Sequence, residues 1–215
     1  MMSSGTRNHW RPRVAPPDPQ AAVRLQEWLE AGRDGGLDAV GLDLSNADLS
    51  GGDFSESWFS DARLVNANLI GADFYRCDAE GADFSYADLT RASLVRANFD
   101  DAVFRGSVLD EADLVKASLY GVDASGASLR KTRLMGASLI DVNFCGADLS
   151  YAVVRENTFK VLLDRETKLD GFSGTLFGPV RLSGPEGVRE IAGADLERWI
   201  RERGGDVRVL ATARS

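Results

Sequence analysis

The chain has 215 residues, 44% of them hydrophobic, a balance that fits one folded domain with small appendages and excludes a wholly disordered chain. Its formal charge is −8. Residues 1–41 and 162–215 are each charge-balanced, with five basic and five acidic side chains in the first and nine of each in the second, so the whole excess lies on residues 42–161. An acidic centre disfavours nonspecific binding to nucleic acid, because phosphates need net positive charge opposite them.

In chain order, residues 1–17 read as a flexible tail. They hold Arg7, Arg11 and Arg13 but no apolar run behind them, which argues against a secretory signal and makes the cytoplasm the expected location. No apolar run approaches the ~20 residues of a membrane helix. Residues 18–36 read as a capping helix: Asp18 is a good N-cap, Pro19 suits the first helical position, Ala22, Leu25, Trp28 and Leu29 share a face, and Gly32, Gly35 and Gly36 stop it.

From residue 37 to about 163 the sequence is periodic, and the period is five. Stepping by five from Leu44 to Phe159 visits 24 positions, of which 21 are Leu or Phe, and the phase never slips. Two residues before each of these, the side chain is small in 20 of 24 cases, and in 15 it is Ala. The position between is often Asp, Asn or Ser. An α-helix would smear such leucines around its circumference, and a flat strand would send positions five apart to opposite faces. A chain that turns a corner every five residues keeps both apolar positions inside.

Segments such as Ala47-Asp48-Leu49-Ser50-Gly51 and Ala147-Asp148-Leu149-Ser150-Tyr151 resemble the pentapeptide-repeat family, with its motif A(D/N)LXX. The resemblance implies an all-β solenoid, a right-handed quadrilateral parallel β-helix with 20 residues per coil and about six coils, roughly 29 Å long at ~4.8 Å per coil. Residues 20 apart should then stack. The columns Phe59, Ala79, Phe99 and Phe104, Ala124, Phe144 sandwich each out-of-pattern alanine between phenylalanines, which suggests volume compensation in a close-packed interior. A lone coil has too little core, so neighbouring coils and covers over both ends must supply stability.

After Phe159 the phase fails at Asp164, returns at Leu169 and is gone by Gly174, which sets off residues 164–215 as a small α/β module. Leu176 to Leu182 and Asp206 to Leu210 read as strands, and Ala194 to Arg203 as a helix. The module is either a cap or, as resemblance to quinolone-resistance members of the family implies, a homodimer contact through Leu196, Trp199 and Ile200.

Nothing in the sequence assembles a catalytic or cofactor site. The only histidine is His9, in the tail, so no Ser-His or Cys-His system is expected. Cys77 falls at an inward position and Cys145 at an outward one more than three coils away, too far apart for a disulfide or a shared metal. Gly51-Gly52-Asp53-Phe54 resembles the opening of a calcium-binding nonapeptide but does not recur every nine residues. The expectation is no enzyme, no cofactor and no metal.

What remains is surface. The wall built on Phe59, Ala79, Phe99, Leu119 and Leu139 carries Asp61, Asp78, Glu80, Asp100, Asp101 and Asp141, with no basic residue until Lys160. This acidic strip is the candidate partner-binding surface. The wall before it stacks Glu56, Arg76, Arg96, Lys116 and Glu156 near Asp73 and Asp113, and reads as a locally neutralised, solvated face. The expected function is a non-catalytic interaction module with a protein partner. The alternative that the resemblance implies is a DNA mimic acting on a type II topoisomerase such as DNA gyrase, giving quinolone or toxin self-protection. Duplex DNA carries one charge per ~1.7 Å, about 17 over such a rod, so the net charge reaches only about half that density.

Overall fold

The computed structural model describes residues 10–32 and 35–210. The outer parts of the expected tail and C-terminus, residues 1–9 with His9 and residues 211–215, lie outside the described residues, as do positions 33 and 34 of the capping segment.

The five-residue phase closes a four-sided coil. Parallel bridges join residues 20 apart without a slip from Asp38↔Trp58 to Arg133↔Val153. The inward columns stack as the phase requires: Phe59 N–H donates to the Asp78 carbonyl and Ala79 N–H to the Asn98 carbonyl, at 2.6 and 2.8 Å. Phe59, Ala79 and Phe99 are all fully buried. Around Ala79 the space is taken by Phe74 and Phe84, whose ring centroids lie 5.3 Å from Phe59 and 5.7 Å from Phe99 respectively.

Most corners are hydrogen-bonded β-turns, as in Ala47 N–H to the Leu44 carbonyl at 3.3 Å, and the second turning residue has positive φ at every fifth position from Gly41 to Tyr151 and Glu156. A turn with a left-handed third residue favours Gly or Asn, yet Arg, Lys, Glu and Tyr hold many of these corners. The Asp or Asn of the repeat explains how they are tolerated. Its side chain accepts the N–H two residues on, as in Asp48 to Ser50 (3.1 Å), Asp73 to Tyr75 (2.9 Å) and Asp148 to Ser150 (3.0 Å), which ties down the entrance to the turns that carry it.

The open start of the first coil is covered twice. Helix α1, Pro19–Glu30, is capped by the Asp18 side chain and buries Ala21 and Leu25, while Trp28 stacks on Phe54 at 6.0 Å. The segment before it is not a free tail: residues 10–17 lie along the coil edge. Asp48 in the first coil has no coil beneath it, so Val14 accepts its N–H and Arg13 donates to its carbonyl, both at 2.9 Å. Trp10 packs edge-on against Phe54 and its indole N–H reaches the Ser50 carbonyl at 2.8 Å. Gly52 makes room for this, since a Cβ there would meet the Phe54 ring and lie 2.8 Å from Trp10.

The end of the solenoid departs from the expected boundary at residue 163. Strands β1 (Leu139–Asn143) and β2 (Val153–Leu163) pair in parallel at Leu139↔Phe159, but the register moves by one at Asn143↔Leu162. Val161 and Leu163 become the inward residues in place of 162 and 164, and the phase recovers at buried Thr167 and Leu169. Asp164 stands where a carbonyl would accept, taking the Gly146 N–H at 3.0 Å. The repeat therefore runs on into a seventh, distorted coil, where Lys168 pairs with Asp148 and β3 (Ser173–Phe177) lies on β2.

The expected single strand from Leu176 to Leu182 is two, β3 and β4 (Val180–Gly184), broken around Pro179, which has no N–H to donate. A hairpin partner, β5 (Gly187–Ile191), follows, then helix α2 (Gly193–Arg201) and strand β6 (Asp206–Val209). The sheet order is β5-β4-β2-β3-β6, parallel except for β4–β5.

Candidate interaction surface

The acidic strip divides by position in the repeat. Asp78 sits in the motif's Asp position and serves the fold: it accepts the Asn98 side-chain amide from the next coil at 2.9 Å. Asp100 also serves the fold. Ser118 occupies the position that would normally cap the Tyr120 N–H, so Asp100, one coil earlier, accepts both that N–H at 2.9 Å and the Ser118 hydroxyl at 2.5 Å. Asp110 does the same for Arg130 N–H and Ser128 on another wall, at 3.1 and 2.5 Å.

Asp61, Asp101 and Asp141 are different. They stand at left-handed corners, φ 58° in each, and their column alternates with Gly81 and Gly121. A Cβ at Gly81 would lie 2.7 Å from Asp61 Oδ1, and one at Gly121 would crowd Asp101 Oδ1, so each glycine receives the carboxylate of the coil before it. Asp61, Asp101 and the exposed Glu80 have no side-chain hydrogen bond or ion pair among the described residues. Asp141 is taken up by Arg181 of β4 at 3.0 Å, a cation the five-residue columns did not reveal because it enters from the C-terminal module.

Two aromatics on the same wall went unremarked in the sequence. Trp58, directly below Asp78, is 49% exposed, and Tyr120 is 48% exposed. Their signal was available, since both fall on outward positions of the repeat. Half-exposed Trp and Tyr among carboxylates are the residue types on which protein interfaces concentrate their binding energy.

At the C-terminal end, Leu196 and Ile200 are fully buried within the chain, which removes them as dimer contacts. They cover the last coil, Leu196 against Gly178 and Ile200 against Gly205. Trp199 alone of the three keeps an accessible face, with the Arg203 guanidinium 3.9 Å over its ring. Cys77 is buried core, with burial pushing its thiol far up, and Cys145 is half-buried, raised to about 11 by burial and the neighbouring Asp164 charge. Neither is a thiolate near neutrality. Among the described residues no group of three or more His, Cys, Asp or Glu side chains could hold a metal, and no helix is long and apolar enough to cross a membrane.

The family model described as Pentapeptide repeats matches this chain in eight copies, over residues 36–64, 59–95, 97–136 and 127–156, more than half of its length. The chain belongs to the pentapeptide-repeat family. The right-handed quadrilateral β-helix of that family is the fold seen here. Among solved structures, HetL from the cyanobacterium Nostoc sp. strain PCC 7120, a pentapeptide repeat protein involved in heterocyst differentiation regulation, is 22% identical over 86% of this chain and 89% of its own, with a TM-score of 0.52. QnrB1, a plasmid-mediated fluoroquinolone resistance protein, is 25% identical over 63% of this chain and 70% of its own, at a TM-score of 0.44. A pentapeptide repeat protein from the Arabidopsis thaliana thylakoid lumen is 28% identical over 55% of this chain and 74% of its own, at 0.25. No curated protein matches the sequence. The likeness to HetL is one of fold.

Proposed function

We propose that this pentapeptide-repeat protein is a non-catalytic interaction module whose acidic wall meets a positively charged surface of a protein partner. The observation that supports this reading is that Asp61, Asp101 and Glu80 make no side-chain hydrogen bond or ion pair among the described residues, whereas Asp78 and Asp100 on the same wall are held by hydrogen bonds. Carboxylates that the backbone does not need, beside exposed Trp58 and Tyr120, combine charge for steering with aromatic area for affinity. The test compares the wild-type chain with the Asp61→Asn, Glu80→Gln, Asp101→Asn variant in capture of cellular proteins. Partners retained by the first and lost by the second support the reading, and identical capture by both removes the acidic wall from it.

The narrower alternative is a stand-in for DNA in a type II topoisomerase. The regular corner carboxylates favour it, repeating every second coil at about 10 Å. Pairing of Asp141 with Arg181 and the cations of the neighbouring corner weigh against a complete imitation. A DNA gyrase supercoiling assay with and without a fluoroquinolone decides it: the absence of both inhibition and protection would eliminate this alternative.

A further inference from the structure

The corner that precedes the acidic wall carries the opposite charge. Its first turning position reads Tyr75, Val95, Val115, Met135 up the rod, all half-buried, and its second reads Arg76, Arg96, Lys116, all exposed. Backbone hydrogen bonds lock these columns in step: Arg76 N–H to the Val95 carbonyl, Arg96 to Val115 and Lys116 to Met135, at 3.1, 3.0 and 3.1 Å.

The local neutralisation expected from the sequence is largely missing. Arg76 is held loosely, 3.9 Å from Glu56 and 5.3 Å over the Tyr75 ring. Arg96 and Lys116 have no side-chain hydrogen bond or ion pair among the described residues. The nearby carboxylates are engaged elsewhere: Asp73 accepts the Tyr75 N–H at 2.9 Å, and Asp113 accepts the Val115 N–H at 3.1 Å and pairs with Arg133 at 2.8 Å. A protein of net charge −8 thus keeps a ridge of exposed cations, two of the three without a side-chain partner among the described residues, beside a half-buried apolar stripe.

We propose that this ridge is a docking site for an amphipathic helix of a partner protein, one bearing an acidic stripe beside an apolar one. The spacing selects a helix over an extended segment. Coils rise ~4.8 Å each, so two steps from Arg76 to Lys116 span about 10 Å, while two helical turns span about 11 Å. Carboxylates at i, i+4 and i+7 of such a helix stay in step with the three cations, within the reach of flexible Arg and Lys stems. Alternate residues of an extended strand repeat every ~6.7 Å and fall out of step by nearly 4 Å over the same two steps. Glu56 closes the column at one end, and Glu156 stands beyond Gly136 at the other, which sets the register. The apolar column and the bordering Asp73 and Asp113 favour an acidic protein segment over a polyphosphate backbone.

The experiment uses the full chain and a short fluorescent peptide with Glu at i, i+4 and i+7, a Leu stripe beside them and otherwise neutral residues, followed by anisotropy. The peptide should bind the wild-type chain and lose about tenfold or more in affinity against Arg96→Glu, Lys116→Glu. Glu already occupies this corner column at positions 56 and 156 with φ 57° and 54°, so the substitutions suit the backbone, and an unchanged melting temperature checks this. Should that variant fail to fold, Arg96→Gln, Lys116→Gln carries the same test. Val115→Ser should weaken binding with the charge intact. Asp61→Asn, Asp101→Asn on the other wall should leave it no weaker. Equal affinity for the ridge variant, equal binding of a scrambled peptide of the same composition, or tighter binding of a short DNA duplex that the ridge variant abolishes would each overturn the proposal.

Discussion

Side chains in this solenoid that look alike in the sequence have different duties, and substitution should separate them. Asp100 and Asp101 are adjacent carboxylates, but only Asp100 accepts hydrogen bonds, from Ser118 and Tyr120. Asp100→Ala should lower stability by about 1–2 kcal/mol in denaturant unfolding, because it removes the acceptor of both the partly buried Ser118 hydroxyl and the Tyr120 N–H, while Asp101→Asn should change it by less than about 0.5 kcal/mol. Glycines divide in the same way. Gly126 has φ 67° with nothing within 4 Å of a Cβ, so Gly126→Ala should cost only the left-handed backbone penalty, about 1–2 kcal/mol. At Gly174 a Cβ would run into the Val154 carbonyl, and Gly174→Ala should be several times worse, read as loss of soluble folded protein.

At the scale of elements, the repeat itself was fully legible because five-residue periodicity is a property of sequence alone. The ends were not, because what shapes them is the demand of unpaired backbone. Residues 10–17 read as a tail, since Pro and Arg predict no element. Their order comes from the orphaned N–H and carbonyl of Asp48, which no residue type advertises. Trp10→Ala should therefore raise the hydrogen-exchange rate of the Asp48 amide far more than that of Asp88, which is bonded between coils to the Ala67 carbonyl. The slip at Asn143↔Leu162 was visible only as a failed phase at Asp164, and the second strand of the hairpin, β5, was missed because it is exposed along nearly its whole length and has no apolar alternation. The acidic strip was found as a column, but which of its members are free depends on hydrogen bonds between coils. At the C-terminal end, burial of Leu196 and Ile200 makes α2 a cover. If the module also joins two chains, Trp199→Asp should halve the mass seen by light scattering, and an unchanged mass leaves it a cover alone.

For the molecule as a whole, acid is the condition that tests the ladder of side-chain caps. Burial opposes ionisation of Asp123, Asp148 and Asp164, but hydrogen bonds outweigh it: from Ser125 and Arg105 to the first, from Ser150 and Arg130 to the second, and from Gly146, Thr167 and Glu166 to the third. All three carboxyls lie below the ordinary range. Their stabilisation is fully present above the unfolded aspartate value of about 3.9 and is lost as pH falls from there through the lower folded values. The melting temperature should hold steady from neutral pH to about 5 and drop below about 4, and Asp148→Asn should make that drop shallower. The aspartate–glycine alternation at positions 61, 81, 101, 121 and 141 has its own consequence at this scale. The backbone is nearly the same from one coil to the next, but the charge pattern is the same only from one coil to the second next. A partner displaced along the rod by a single step would set its cations over bare glycine, so the wall has an address written at twice the interval of the scaffold that carries it.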